Sequence, residues 1–242
     1  MRVEIDAGNS RIKWRICLGQ IVESRGVFAN KDIEIFLEVL DQIPSIEKIY
    51  IASVSPLDII NKIAQYCSKR TCLLIEAKTE KITAGVTCGY NDPSILGIDR
   101  WLGIVAAYNR FRSPCIIIDA GTILTIDTVN GDGKHLGGYI LPGREMSREI
   151  MNTGTEKIQL NINDDQDITN FSPGKSTGEC IRKGEILMIK SLIEFIVRNS
   201  DEKNETQIIA TGGNAQNIVS ILGNHVHFDP ELILDGLKFL DL

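Results

Sequence analysis

The sequence has no long hydrophobic run, no basic run and no C-x-x-C pair of cysteines. No stretch approaches the roughly 20 apolar residues of a membrane-spanning helix, so we expect no association with a membrane. Acidic residues (32) outnumber basic ones (26), and the net charge of −6 argues against nucleic acid as the main partner. The six cysteines are scattered, most of them among apolar residues, which predicts reduced core thiols in a cytoplasmic protein. Residues 1–6 are typical of a strand and not of a signal peptide.

The composition is that of an ordinary globular protein, with 43% hydrophobic and 24% charged residues. A chain of 242 residues can form one large domain or two of about 100–120 residues each. An internal repeat favours two similar lobes.

The segment Cys115–Val129 (CIIIDAGTILTIDTV) is predicted to be two strands joined by a tight turn. Apolar residues lead to Asp119 at the end of the first strand, and Gly121 permits the turn. Apolar and polar residues then alternate through the second strand. An acid, a glycine and a hydroxyl at a hairpin tip can hold a phosphate group and its metal ion, since the carboxylate binds a cation and N–H groups donate to phosphate oxygens.

The start of the chain repeats this pattern. Asp6-Ala7-Gly8-Asn9 in the first half corresponds to Asp119-Ala120-Gly121-Thr122 in the second. In each half a third strand follows, and then a helix that begins near Asp32 or near Arg144. The repeat predicts a duplicated unit with a three-stranded meander followed by a helix.

Further strand and helix patterns extend the first half to βββαβαβ and the second to βββα…αβα, with a closing helix from Pro230. We expect an N-terminal lobe at residues 1–112 and a C-terminal lobe at residues 113–242. Residues 144–153 and 176–198 are predicted helices, and the polar residues 154–174 a loop. His225 and His227 lie on one face of a strand and could bind a metal, although two surface histidines without a third ligand are the simpler interpretation.

Two Asp-x-Gly tips in related lobes occur in two kinds of protein. In aspartic proteases each lobe gives one catalytic Asp, but those enzymes are nearly all strand and carry Thr or Ser where this chain has Ala7 and Ala120. The other kind is the duplicated ribonuclease H-like α/β fold of sugar kinases, actin and Hsp70, in which two βββαβαβ lobes hold ATP in a cleft between them. A third glycine element, Thr211-Gly212-Gly213, matches the adenosine side of that fold.

Over essentially its full length the sequence resembles the type III pantothenate kinase family. The elements that carry the resemblance are DAGNS at 6–10, GIDR at 97–100, DAGT at 119–122 with Thr125, GGYILPG at 137–143, Ser176-Thr177 and TGG at 211–213. The GIDR and GGYILPG elements are the discriminating ones. The resemblance implies ATP-dependent phosphorylation of (R)-pantothenate to 4′-phosphopantothenate, the first step of coenzyme A biosynthesis, by a homodimer.

The resemblance also implies roles for particular residues. Asp6 would lie near Mg²⁺, Asp119 would bind a monovalent cation (K⁺ or NH₄⁺), and Asp99 would be the general base for the pantothenate hydroxyl. The residues implied at ATP are Asp6, Ala7, Gly8, Asn9, Ser10, Arg11, Ile12, Lys13 and Thr122. Those implied at pantothenate are Tyr90, Gly97, Ile98, Asp99, Arg100 and Thr177.

Other interpretations stay open on the sequence alone. Asp99 could be only a helix N-cap, and Arg100 and Lys13 could simply face water. Ile123 stands where the family usually has a small residue, next to the implied cation site. The protein could also phosphorylate another small molecule, or be a non-catalytic, ATP-binding regulator, because members of the family were first described as transcription accessory factors.

Overall fold

The computed structural model describes residues 1–55, 57–153, 171–200, 205–223 and 225–241. Its strands are β1 (Arg2–Ala7), β2 (Arg11–Leu18), β3 (Ile21–Ala29), β4 (Lys48–Ser53), β5 (Leu73–Glu76), β6 (Ile82–Thr83), β7 (Val86–Thr87), β8 (Cys115–Ala120), β9 (Ile123–Val129), β10 (His135–Pro142), β11 (Gln207–Thr211) and β12 (Val226–Phe228). Its helices are α1 (Ile33–Asp41), α2 (Leu57–Arg70), α3 (Ile98–Phe111), α4 (Arg144–Thr153), α5 (Thr177–Arg198), α6 (Ala215–Leu222) and α7 (Leu232–Leu237).

The chain divides into two compact units. Unit 1 comprises Met1–Asn109 together with the segment that starts at Glu231, and unit 2 comprises Arg110–Pro230. The lobes at 1–112 and 113–242 stay a prediction of the sequence. The segment from Glu231 is the point at which the compact units differ from that division.

Unit 1 is built on a five-stranded sheet in the order β3-β2-β1-β4-β5, in which the first three strands are antiparallel and β4 and β5 run parallel to β1. One face of β1 carries Val3, Ile5 and Ala7, all fully buried, and packs against the apolar sides of α1 and α2. Alternation along β1 places these side chains on one face because successive residues of a strand point to opposite sides. The βββαβαβ order predicted for the first half is confirmed.

The opposite face of β1 and β2 holds a buried ionic cluster. Glu4 and Arg15 are cross-strand partners with 1% and 6% of their surface exposed, and the Arg15 guanidinium donates to the Glu4 carboxylate. Arg15 also donates to Asp235 of α7 (2.8 Å) and to Glu231 (3.1 Å). Burial alone would lower the pKa of Arg15, but Glu4 and Asp235 outweigh burial and raise that pKa. The cluster therefore attaches the C-terminal helix to the N-terminal sheet.

Unit 2 repeats the sheet of unit 1 strand for strand. Its order is β10-β9-β8-β11-β12, with β8, β9 and β10 antiparallel and with β11 and β12 parallel to β8. Ile116 and Ile118 of β8 pack against Ile193 of α5 and Ile218 of α6. The same strand order and the same strand directions confirm the predicted duplication and the α/β fold class. Helices and parallel strands in both units are incompatible with the nearly all-strand aspartic proteases.

The helix expectations for unit 2 are confirmed at 144–153 and, with Ser176 as N-cap, at 177–198. Ser176 accepts a hydrogen bond from the Glu179 backbone N–H, which satisfies one free donor at the start of α5. Most of the predicted loop 154–174 lies outside the described residues. None of the helices that the structure describes is both long and apolar enough to cross a membrane.

Candidate active site

The first hairpin tip joins β1 to β2 through Gly8, Asn9 and Ser10. The Gly8 N–H donates to the Arg11 carbonyl (3.0 Å), which closes the turn. Asn9, Ser10 and Arg11 are exposed, so their polar groups are accessible to a ligand. Ala7 and Ile12 have fully buried side chains in the core, which leaves only their backbone available to a nucleotide.

Asp6 and Lys13 form a cross-strand pair beside this tip. They are direct partners in the β1–β2 register, and directly opposed residues point to the same face of a sheet. Asp6 is 6% exposed, whereas Lys13 is half-buried. A carboxylate and an ammonium group thus share the face opposite the apolar core. This arrangement is suited to a phosphate chain with an associated cation.

Asn30 holds the first tip in place, and sequence reasoning missed it. Its amide nitrogen donates to the carbonyls of Gly8 (3.0 Å) and Asn9 (2.9 Å) and to the Ser55 hydroxyl (3.2 Å). Its own backbone N–H donates to the Ser10 carbonyl (3.1 Å). A lone Asn at the end of β3 has no sequence pattern that would connect it to a turn about 20 residues earlier, so no signal could have identified it.

The second tip joins β8 to β9 through Gly121 and Thr122. The Gly121 N–H donates to the carbonyl of Ile123 (3.2 Å), and the half-buried Ile123 is accommodated in the strand that follows. The Gly143 N–H donates to the Thr122 carbonyl (3.0 Å), so the GGYILPG element closes directly onto the tip. A Cβ on Gly143 would lie 2.3 Å from the Gly121 carbonyl oxygen. Only a glycine permits this approach.

The Thr211-Gly212-Gly213-Asn214 turn packs against the same tip. The Asn214 N–H donates to the Ala120 carbonyl (2.8 Å), and a Cβ on Gly212, whose φ is +95°, would lie 2.4 Å from the Asp119 Oδ1 atom. Three glycine elements that are far apart in the sequence therefore meet at Asp119–Thr122. The structure brings together all the predicted elements of unit 2 except Ser176-Thr177.

Asp119 lies between two threonines on one face of the sheet. Its register partners are Thr125 on β9 and Thr211 on β11. Thr211 is 1% exposed, and its hydroxyl oxygen is buried with no hydrogen-bond partner among the described residues. A buried hydroxyl that lacks a protein partner usually has water or an ion as its partner. The carboxylate and the hydroxyl are oxygen ligands that fit a hard cation.

A partly open cavity lies next to the second tip within unit 2. Its apolar walls come from β9, α5 and α6. The apolar side chains in these walls are Leu124, Ile186, Ile189, Ile218 and Ile221. Asn214, Asn217 and Glu185 add polar groups at this cavity, and Gly121 and Gly143 form part of its lining. An apolar cavity with a few polar groups is typical of a site for a flat organic ligand.

The GIDR element starts helix α3 in unit 1. Asp99 lies in the first turn, one residue inside the helix, and its Oδ1 atom accepts from the Arg100 N–H (2.8 Å). The positive end of the helix dipole stabilises a carboxylate at this position. A Cβ on Gly97 would lie 2.7 Å from that Oδ1 atom, so the glycine makes room for the carboxylate. Ile98 is buried and serves the core.

Arg100 is held against Tyr90. Its Nη1 atom lies 3.1 Å from the Tyr90 hydroxyl, and its Cζ atom is 5.8 Å from the centre of the Tyr90 ring. Both residues are half-buried, and the guanidinium is held in position by Tyr90. Unit 1 therefore brings Tyr90, Gly97, Asp99 and Arg100 together, as the sequence predicts for a substrate site.

The remaining candidates lie in unit 2. Thr177 is exposed at the first turn of α5. His227 packs against the Phe111 ring (4.8 Å between centroids), and its Nε2 atom lies 3.0 Å from the Gln207 side-chain oxygen. No cluster of three or more His, Cys, Asp or Glu side chains that could hold a metal occurs within the described ranges.

Solved structures show which fold this is. One from Campylobacter jejuni, described as a Baf family transcriptional activator, has a TM-score of 0.59 at 23% identity and covers 98% of this chain and 95% of its own. Another from Sinorhizobium meliloti, described as a 2-dehydro-3-deoxygalactonokinase, has a TM-score of 0.58 at 11% identity and covers 98% and 97%. At these identities the likeness concerns the fold alone.

Sequence comparisons identify the family. A family model described as type III pantothenate kinase matches residues 2–199. The type III pantothenate kinase of Azotobacter vinelandii is 32% identical over 247 residues, covering 98% of this chain and 97% of the relative. That of Marinobacter nauticus is 31% identical over 236 residues, covering 97% and 95%. The chain belongs to the type III pantothenate kinase family.

Proposed function

We propose that this protein transfers the γ-phosphoryl group of ATP to the primary hydroxyl of (R)-pantothenate, which yields 4′-phosphopantothenate for coenzyme A biosynthesis. The family membership supports the reaction. The observation that carries the proposal is the group formed by Asp99, Arg100 and Tyr90 at the start of α3. It combines a fixed carboxylate with a fixed guanidinium.

Asp99 is the general base in this proposal, and Arg100 binds the carboxylate end of pantothenate. A base must lie within hydrogen-bonding reach of the hydroxyl that it deprotonates, and a carboxylate at a helix start is well placed for a substrate above that end. A guanidinium can bind a carboxylate through two parallel hydrogen bonds, which lysine cannot do. Tyr90 and Gly97 shape this site, and Thr177 is a further proposed contact from unit 2.

Each tip is proposed to contact ATP. The exposed residues Asn9, Ser10 and Arg11 of the first tip, with Lys13, would contact phosphate oxygens, and Thr122 would contact ATP at the second tip. The cavity beside Gly121 and Gly143 is the proposed binding site for the adenine ring of ATP. Phosphoryl transfer depends mainly on positioning and on neutralising phosphate charge, which these groups provide.

Asp6 is proposed to hold Mg²⁺, and Asp119 with Thr211 to hold K⁺ or NH₄⁺. Magnesium usually takes only one or two protein carboxylates and completes its coordination with phosphate oxygens and water. A single carboxylate such as Asp6 is therefore sufficient, and Mg²⁺ bound there would neutralise phosphate charge. The buried Thr211 hydroxyl beside Asp119 supports the second ion.

A coupled assay of ADP release tests the reaction with pantothenate, glucose and acetate in parallel. We expect turnover with pantothenate and none with glucose or acetate. No turnover with pantothenate would refute the proposal. Asp99→Asn keeps the size and most of the hydrogen bonding of the side chain but removes the base. It should lower kcat by about 10²–10⁴-fold while ATP binding is retained. Omitting K⁺, or changing Asp119 to Ala, should each reduce turnover if the cation role is correct.

A homodimer in the cytoplasm completes the proposal. Free cysteines, five of them buried, fit a reducing compartment. Unit 2 exposes large apolar side chains on β10, α4 and α5: Leu136, Tyr139, Ile140, Ile150, Met151, Leu187, Met188 and Phe195. Exposed apolar groups of this kind support contact with a second copy. Light scattering should give twice the chain mass, and Ile140→Glu should reduce it. Ile21→Glu, at an equally exposed position of unit 1, should not.

A further inference from the structure

A short segment at residues 79–83 contacts residues next to the proposed substrate site. It ends with the first strand of the hairpin β6–β7, whose turn has positive φ at Ala84 (48°) and Gly85 (83°). The side chains of Thr79 and Thr83 contact the residues that flank the GIDR element, and the side chain of Lys81 contacts the segment that ends at Tyr90. The Thr79 and Thr83 contacts join residues 17 and 18 positions apart in the sequence, whereas the Lys81 contacts join residues 7 and 9 positions apart, across the hairpin.

Lys81 fastens the segment that follows β7 and leads to Tyr90. Its Nζ atom donates to the backbone carbonyls of Cys88 (2.9 Å) and Tyr90 (3.1 Å), and its own carbonyl accepts from the Cys88 N–H (2.9 Å). One ammonium group thus joins two carbonyls that lie two residues apart. Since Nζ contacts the Tyr90 backbone directly, it restricts the residue whose hydroxyl meets Arg100 at 3.1 Å.

The two threonines fasten the residues on either side of GIDR. The Thr79 hydroxyl donates to the Leu96 carbonyl (2.9 Å), which is the residue immediately before Gly97. The Thr83 hydroxyl accepts from the Trp101 indole N–H (3.2 Å), which is the residue immediately after Arg100. Trp101 is 1% exposed, so this bond satisfies a buried donor.

We infer that Lys81 is a positioning residue for pantothenate binding, and that Thr79 and Thr83 assist it. The three side chains hold the segment 88–90 and both ends of the GIDR element in one geometry, so that the guanidinium of Arg100 is presented in a fixed orientation. This inference rests on the proposed function. Lys81 acts through Tyr90 and Arg100 and does not itself contact substrate.

A fixed guanidinium reduces the conformational freedom that is lost when the carboxylate of the substrate binds. Without the ammonium group, the carbonyls of Cys88 and Tyr90 lose a charged donor and the segment between them gains freedom. Tyr90 would then leave its place beside Arg100 for part of the time. The apparent affinity for pantothenate falls in proportion to the fraction of protein in the competent geometry. Groups that bind ATP are not involved.

The test compares Lys81→Met with two matched variants. Methionine keeps the length of the side chain and removes the donor, whereas Lys81→Arg keeps donors that can reach two carbonyls. Lys78→Met removes the same charge from an exposed side chain three residues away. Steady-state kinetics give KM for pantothenate, KM for ATP and kcat for each variant. Hydrogen exchange of the peptide that covers residues 88–97 reports the positioning without any need for turnover.

We expect Lys81→Met to raise KM for pantothenate about tenfold, which is about 1.4 kcal/mol, while KM for ATP and kcat change less than twofold. Residues 88–97 should exchange faster in that variant. Lys81→Arg should restore most of the affinity, and Lys78→Met should behave as the wild type. An unchanged KM for pantothenate, or a parallel rise in KM for ATP, would overturn the inference. Absence of activity on pantothenate in the wild type would instead refute the proposed function. The hydrogen-exchange result would still decide whether Lys81 orders residues 88–97.

Discussion

Arg15 should contribute more to stability than any surface arginine because its charge is buried. Removing one partner of a buried ion pair costs about 3–5 kcal/mol, since the remaining charge has no compensation. In Arg15→Met that remaining charge is Glu4, which is 1% exposed. Arg2 still contacts Glu4 (2.9 Å), and the Glu231 and Asp235 side chains are 21% and 24% exposed and can be hydrated. We therefore expect a loss near the lower limit, about 3 kcal/mol.

Arg25 provides the matched control. It also donates to Glu231, but its side chain is 67% exposed, and exposed ion pairs contribute about 0–1 kcal/mol. Urea unfolding of the wild type, Arg15→Met and Arg25→Met, followed by circular dichroism, would measure both. The double variant Glu4→Gln/Arg15→Met should recover part of the loss, because it removes the buried Glu4 charge, which has lost one of its two arginine partners. Equal midpoints for the two single variants, or no recovery in the double variant, would refute the reasoning.

Four further predictions concern the thiols, the second tip and the first tip. Burial raises the pKa of Cys115 to about 12, and burial together with Cys72 raises the pKa of Cys67 to about 12. At pH 8 a thiol reagent should therefore modify the exposed Cys180 rapidly and the native core thiols slowly. Because unfolded thiols lose their protons near pH 8.5, stability should fall as the pH rises from there toward 12. Gly143→Ala should lower turnover about 100-fold by displacing the tip, whereas Gly184→Ala, which has open space around it, should not; equal activities would contradict this. Asn30→Ala should raise KM for ATP several-fold with KM for pantothenate unchanged, and the reverse pattern would exclude its role at the first tip.

Local patterns made most of the fold predictable. Strands alternate with period two, and Gly8 and Gly121 mark turns that need only neighbouring residues. Because the repeat preserves these patterns, the same strand order could be expected twice. The GIDR element was also readable, since a glycine, an acid and an arginine at a helix start are adjacent in the chain. Their proximity in space follows from that adjacency.

Contacts between distant residues were not predictable. Asn30 bonds to a turn about 20 residues earlier, and Lys81 bonds to carbonyls, which every residue has and which therefore leave no trace in the sequence. The return of α7 to the first sheet was missed for a related reason. Its apolar pattern indicates that it is buried but does not indicate against which sheet. The Arg15 contacts to Glu231 and Asp235 identify the first sheet as that partner.

The return of α7 has a consequence for synthesis on the ribosome. The residues of unit 2 are translated between the two parts of unit 1, so unit 2 can complete its sheet while the face of β1 that bears Glu4 is still uncovered. Unit 1 has to wait for the last helix to leave the exit tunnel. A damaging change in α7 should therefore appear first as misfolding or proteolysis of the N-terminal half of the protein, more than 200 residues away along the chain.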